Sequence, residues 1–212
     1  MDLEIVILGA GGHGRVILDI CMIRGMAVRG FVDHGKSAGD RLHGTEVLGG
    51  DELITHPEFF ENAAFIVGVG DLEIRHKMIS QVQAYNGIFA TLIHPAAIVS
   101  PRATIGEGTL VNAGAVVNID AHIGDHCILN TQCSIDHDCS LGDNVHICPG
   151  ATLAGGVTCG ENAYIGSGAT VLPNCRIGRG AMVAGGAIVI SDVDDGLTDF
   201  GVSGRIFKRD KK

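Results

Sequence analysis

The chain has 212 residues, a formal net charge of −9 and 4% aromatic residues. No basic cluster occurs before the last eight positions, which argues against nucleic acid as a partner. No apolar run approaches the roughly 18 residues of a membrane span, and the acidic opening Met1-Asp-Leu-Glu4 is unlike a secretory leader, so a cytoplasmic protein is expected.

In chain order, Glu4–Leu8 reads as a buried strand, followed by Gly9-Ala-Gly-Gly-His-Gly14. An amphipathic helix is expected from Arg15 to about Arg24, with Val16, Ile17, Ile20 and Cys21 on one face. Val28–Val32 is a second strand ending at Asp33, and a glycine-rich loop, 34–50, leads to a short helix near Asp51–Ile54. A third strand is expected over Phe65–Val69, then a helix to Tyr85, then a fourth strand over Phe89–Ile93. Alternation of strand and helix predicts a parallel sheet covered on both faces. Gly9, Gly11 and Gly14 have the spacing G-x-G-x-x-G between a strand and a helix, a backbone cradle for a diphosphate at a helix N-terminus. Asp33, at the tip of the second strand, is placed to bind ribose hydroxyls. With only one mononucleotide-binding half present, a nucleoside diphosphate carrying a sugar fits better than a dinucleotide.

Near residue 95 the pattern changes. Every sixth residue from Val99 to Val189 is Val, Ile or Leu, with Cys159 the one departure. The residue four places after each is small, and the residue three places after is usually Gly, Asn or Asp, the types that tolerate a left-handed corner. A period of six is neither helical nor that of an ordinary sheet. It describes a solenoid of short strands, with neighbouring turns about 4.8 Å apart. Three domains of the chain are therefore expected: a Rossmann-like unit over 1–95, the solenoid over 96–194, and a tail over 195–212. Cys127, Cys133, Cys139 and Cys175 fall in the small inward slot and Cys159 in the large one, so they read as small hydrophobes in a reducing compartment, not as metal ligands.

The repeat resembles the left-handed parallel β-helix of hexapeptide-repeat acyltransferases. With Gly-Ala-Gly-Gly-His-Gly, the strand end Val67-Gly-Val-Gly70 and the junction Ile93-His-Pro95, the chain resembles the subgroup of sialic acid O-acetyltransferases and nucleotide-amino-sugar N-acetyltransferases. The three-sided section, the handedness and eighteen residues per coil come from that resemblance. So does a homotrimer with acetyl-CoA in the grooves between subunits. It implies that Gly11, Gly12, His13, Asp33 and Gly70 touch the nucleotide-sugar and that Asn130 lines the sugar pocket. It also implies that His146 helps bind the acetyl carbonyl and that the amides of Ser167 and Gly185 hold the pantetheine arm.

Acyl transfer to an amine needs a base and oxyanion donors. Of ten histidines, His137 stands between Asp136 and Asp138, either of which could orient its ring. The family's base is a histidine followed by an acidic residue, which matches His137 and Asp138. At eighteen residues per coil His137 is neighboured by Gly155, whose missing side chain leaves room for a thioester and whose N–H is an oxyanion donor. The ring is expected to open onto a CoA-sized cleft. The resulting expectation is acetyl transfer from acetyl-CoA to a UDP- or GDP-linked 4-amino sugar, without a metal. The alternatives are O-acetylation of sialic acid and, in another class, a γ-carbonic-anhydrase-like hydratase using His122, His126, His137 and His146.

Overall fold

The computed structural model describes residues 3–201. Arg205, Lys208 and Arg209, the basic residues that close the chain, lie outside the described residues.

The first unit is built around β1 (Glu4–Leu8), which pairs in parallel with β2 (Val28–Val32) on one side and β5 (Ala63–Val67) on the other. Val6, Ile7 and Leu8 are fully buried, as a strand covered on both faces must be. Ile5 and Ile7 pack against Ile17 and Cys21 of α1 (Gly12–Ile23). Val6 and Leu8 face Met78, Ile79 and Val82 of α2 (Leu72–Ala84).

Several expected boundaries move. Part of the expected loop 34–50 is a strand pair, β3 (Arg41–Leu42) and β4 (Thr45–Gly49), with β4 parallel to β2. Only Val47 and Gly49 of β4 are buried, so hydrophobicity did not mark it. Gly30 makes the pairing possible, since a Cβ there would lie 2.7 Å from the Glu46 carbonyl oxygen. α1 begins at Gly12 and not Arg15, β5 begins at Ala63 and not Phe65, and two 3-10 turns, Asp51–Thr55 and Pro57–Phe60, replace one short helix. The expected strand Phe89–Ile93 divides in two. Ile88–Phe89 (β6) closes the sheet edge beside β5, whereas Leu92–Ile93 is already the first rung of the solenoid.

From there the strands stack into three parallel ladders in which each residue pairs with the one eighteen positions on, as Leu110 with Ile128 and Val117 with Ile135, until the last coil, where Met182 pairs with Thr198 at a step of sixteen. The first wall runs from Leu92–Ile93 to Thr198–Asp199, the second from Ile98–Val99 to Ile188–Val189, and the third from Thr104–Ile105 to Arg176–Ile177. The paired walls thus reach beyond the 96–194 span at both ends. The two inward columns interlock as one core, with Cys127, Cys133, Cys139, Cys159 and Cys175 in their expected slots. Burying each Ile or Leu contributes about 1.5–3 kcal/mol. Corner residues take positive φ, among them Gly114, Asp138, Asn144 and Gly156, and also His126 and Gln132, which residue type alone did not mark.

The three outer faces differ. Leu92, Leu110 and Ile128 of the first wall are buried in the core shared with α1, so the chain's own first unit covers the early coils of this wall, while Met182 and Thr198 farther along are exposed. The third wall presents Thr104, His122, Ser140, Thr158 and Arg176, a polar ladder. The second wall is mixed: it presents Ile98 (67% exposed), Val116, Ser134, Thr152, Thr170 and Ile188, with exposed Leu172 and Ile190 at its margins.

Candidate functional site

The glycine loop separates packing glycines from open ones. A Cβ on Gly14 would meet the Gly9 carbonyl oxygen at 1.9 Å, and one on Gly68 would meet Gly14 Cα at 2.7 Å, so these two let helix and strands touch. Gly11 and Gly12 have open space where a side chain would go. Gly11 caps α1 without any side-chain hydrogen bond, leaving first-turn amides free for an anion. Beside them is a cavity of about 400 Å³ lined by Ala10, Gly11, Arg15, Asp33, Gly35, Lys36 and Leu42. Asp33 accepts hydrogen bonds from the Ala10 N–H (2.7 Å) and the Gly35 N–H (2.9 Å), stapling the two loops that form the cavity. Arg15 and Lys36 give it the positive charge a diphosphate requires; neither was singled out in the sequence.

A second group lies where the first unit meets the first wall. His146 is 3% exposed. Its Nδ1 lies 3.3 Å from the Gly70 carbonyl oxygen, its Nε2 is 3.5 Å from the Asn130 amide nitrogen, and its ring meets those of His13 and Tyr164 edge-on. Gly70 leaves space for His13, because a Cβ there would come within 3.0 Å of His13 Nε2. Burial, then the Arg75 guanidinium, then His13 push the His146 pKa down to about 3, and burial and Arg75 lower that of His13. Both rings are neutral near pH 7.

Arg75 is 1% exposed and has no carboxylate partner among the described residues. It donates to the Asn144 side-chain oxygen and, at 2.8 Å, to the Asn144 carbonyl, locking α2 onto the solenoid. Its signal was present in the sequence: Arg75, Met78, Ile79 and Val82 form the buried stripe of α2, and an arginine occupies an apolar position.

The third group is on a different edge of the prism, between the second and third walls. His137 Nδ1 lies 2.7 Å from Asp138 Oδ2. Asp138 is itself a corner residue (φ 58°), which turns its carboxylate back toward the preceding ring. The hydrogen bond to Asp138, followed by the charge of Asp136, raises the His137 pKa above its ordinary value. Asp136 accepts from the His137 N–H (2.8 Å) and the Asn118 amide (2.9 Å), and the His137 N–H is the larger influence holding it ionised. Gly155 is beside the ring as the eighteen-residue count requires: a Cβ there would lie 2.5 Å from His137 Cε1 and 2.6 Å from Nε2. Among the described residues the Gly155 N–H meets no acceptor.

The structure brings His13, Gly70, Asn130 and His146 together, and separately His137, Asp138 and Gly155. Ser167 and Gly185 are stacked neighbours on the edge between the first and second walls, the edge that also bears Asn130. His137 is one wall away. Its side chain is 56% exposed, with Gly155 on one side and solvent on the other, so a single chain does not enclose the expected CoA-sized cleft. The four histidines of the hydratase alternative are dispersed: His122 bonds Thr104, His126 abuts Phe89, and no three potential ligands converge among the described residues. Cys148, not considered from the sequence, faces outward one coil above Asn130 and is buried.

A Rossmann-like unit docked on a left-handed parallel β-helix, with a histidine–carboxylate pair on one edge, defines a hexapeptide-repeat transferase. Residues 4–82 match the PglD N-terminal domain, and residues 120–155 and 156–191 match the bacterial transferase hexapeptide (six repeats). A perosamine N-acetyltransferase from Caulobacter crescentus, solved as a histidine-to-asparagine mutant with CoA and GDP-perosamine, is 35% identical. The match covers 97% of each chain with a TM-score of 0.89. The acetyltransferase domain of PglB from Neisseria gonorrhoeae FA1090, solved with acetyl coenzyme A, is also 35% identical, over 93% of this chain and 96% of that one, with a TM-score of 0.86. UDP-N-acetylbacillosamine N-acetyltransferase of Bacillus subtilis is 37% identical over 114 residues, 50% of each chain. The chain spans about half the length of that curated relative and 21% of another. It belongs to the hexapeptide-repeat nucleotide-amino-sugar N-acetyltransferases.

Proposed function

We propose that the protein transfers acetyl from acetyl-CoA to the amino group of a UDP- or GDP-linked 4-amino sugar, and that it does so as a homotrimer. The observation that carries this reading is the division of its chemistry between the two edges of the second wall. Three prisms that turn this wall toward a common axis each set the second–third edge of one protomer against the first–second edge of its partner. His137 and Gly155 of one protomer then face Asn130, Ser167 and Gly185 of its partner, and the missing side of the cleft is supplied. One chain alone cannot do this.

In the transfer, Asp138 holds a proton on His137 Nδ1, so Nε2 carries the lone pair and takes the proton of the attacking amine. The Gly155 N–H, unpaired and adjacent, donates to the oxyanion of the tetrahedral intermediate. The amides of Ser167 and Gly185 hold the pantetheine arm. Collapse expels the CoA thiolate, which the proton on His137 neutralises. The nucleotide lies against Gly11, Gly12 and Asp33, with Arg15 and Lys36 at the diphosphate and His13 and Gly70 toward the sugar. An acyl-CoA donor, seven buried thiols and the lack of any described helix long and apolar enough to cross a membrane accord with a cytoplasmic enzyme.

The test is CoA release with UDP- and GDP-linked 4-amino sugars and with free sialic acid. Release with an amino sugar and an amide product is the expected result. Transfer to sialic acid alone would replace the amine by a hydroxyl as acceptor, and no release with any of them would overturn the reading.

A further inference from the structure

Four polar side-chain and backbone groups run in one line from the first–second edge into the pocket of the first unit. Asn112 is 1% exposed, and its Nδ2 donates to Asn130 Oδ1 at 3.1 Å. The same oxygen accepts the Thr131 N–H at 2.8 Å. Asn130 Nδ2 lies 3.5 Å from His146 Nε2, and His146 Nδ1 lies 3.3 Å from the Gly70 carbonyl oxygen.

The direction of this line is fixed at both ends by backbone groups that cannot exchange donor for acceptor. The Thr131 N–H demands an oxygen from Asn130, which turns the Asn130 NH₂ toward His146. The Gly70 carbonyl demands an N–H from His146 Nδ1. A neutral imidazole that donates from Nδ1 has no proton on Nε2. Reversing either amide would set oxygen against oxygen at Asn112–Asn130 or N–H against N–H at Asn130–Thr131. At 3.5 Å the Asn130–His146 contact is long, so a ligand donor can take its place at Nε2.

We infer that Asn112 is a positioning residue: with the Thr131 N–H it holds the Asn130 amide in place beside His146, whose Nε2 the Gly70 carbonyl keeps an acceptor that receives an N–H or O–H of the bound sugar. This assigns His146 the opposite polarity to an oxyanion donor, and it rests on the proposed function only for the identity of the ligand. The low pKa of His146 agrees with a ring that never titrates in the working range.

The ring is read directly by ¹⁵N NMR of histidine-labelled wild-type protein, the signal being assigned by its loss in His146→Gln. The expected signature is a protonated Nδ1 and a bare Nε2. In Asn112→Asp the carboxylate repels Asn130 Oδ1 and pushes the amide out of its place in the sugar pocket, while the Gly70 carbonyl leaves the Nε2 signal at its bare position. The same variant should raise KM for the amino sugar about tenfold while KM for acetyl-CoA stays within about twofold. A general loss of fold would move both constants. A protonated Nε2 in the wild-type protein overturns the assignment, as does an Asn112→Asp protein that keeps the wild-type sugar KM. The wild-type ring measurement needs no substrate. An absence of acetyl transfer would therefore overturn the proposed function and leave this test standing.

Discussion

His137 and His146 are nine positions apart and occupy opposite environments. His137 stands on an open edge, bonded to an adjacent carboxylate, with its pKa raised by Asp138 and then Asp136. His146 is sealed between two units of the chain near the buried Arg75, with its pKa pushed down to about 3. The first holds a proton more readily than a free imidazole, and the second less. Residue type therefore says little about role here, because desolvation and the nearest charge decide it. The open edge takes its chemistry from three consecutive residues and a glycine one coil on. The sealed pocket draws on two separately folded units.

The contrast breaks most completely if the open edge is never closed by a second protomer. Charges on the second wall, as in Leu172→Asp with Ile188→Asp, should reduce the mass in light scattering from three times 22.0 kDa to 22.0 kDa. Acetyl transfer should fall below detection while nucleotide binding by the first unit survives. Next in size, His137→Ala should lower kcat by roughly 10²- to 10⁴-fold in a CoA-release assay, with little change in thermal stability, because the ring is exposed. Gly155→Ala should cost roughly 10²-fold in kcat, since the new methyl group would lie where the His137 ring is and must displace it. The smallest effect is the most diagnostic. Asp138→Asn removes the interaction that raises the His137 pKa, so the acid limb of the kcat/KM profile should shift to lower pH. An unmoved limb would show that the limb belongs to another group.

The solenoid was legible because each six-residue unit states its own large, corner and small positions, and sixfold spacing leaves one register. Counted at the eighteen residues per coil that the family resemblance supplied, that register also placed Gly155 beside His137. Asp136-His137-Asp138 was legible as a local triplet. What depends on distant chain segments was not. Only two residues of Thr45–Gly49 are buried, so β4 shows itself in its pairing with Phe31 and Val32 and not in its composition. The apolar run ending at Ile93 gave no sign that Ile88–Phe89 and Leu92–Ile93 join different sheets. Arg75 broke the apolar stripe of α2, but its partner Asn144 is 69 residues away. Nothing in the sequence marked Asn112, whose partner Asn130 is eighteen residues on. The cleft could not be read from a single chain because, in the proposed trimer, one of its sides is another copy of that chain.

Asp138 makes the turn and also holds the ring. A backbone angle of +58° is cheap for few side chains, chiefly glycine, asparagine and aspartate. Of these, aspartate alone brings a negative charge. The corner thus narrows the alphabet from which a partner for the His137 ring can be drawn, and the scaffold selects part of that ring's environment before any substrate does.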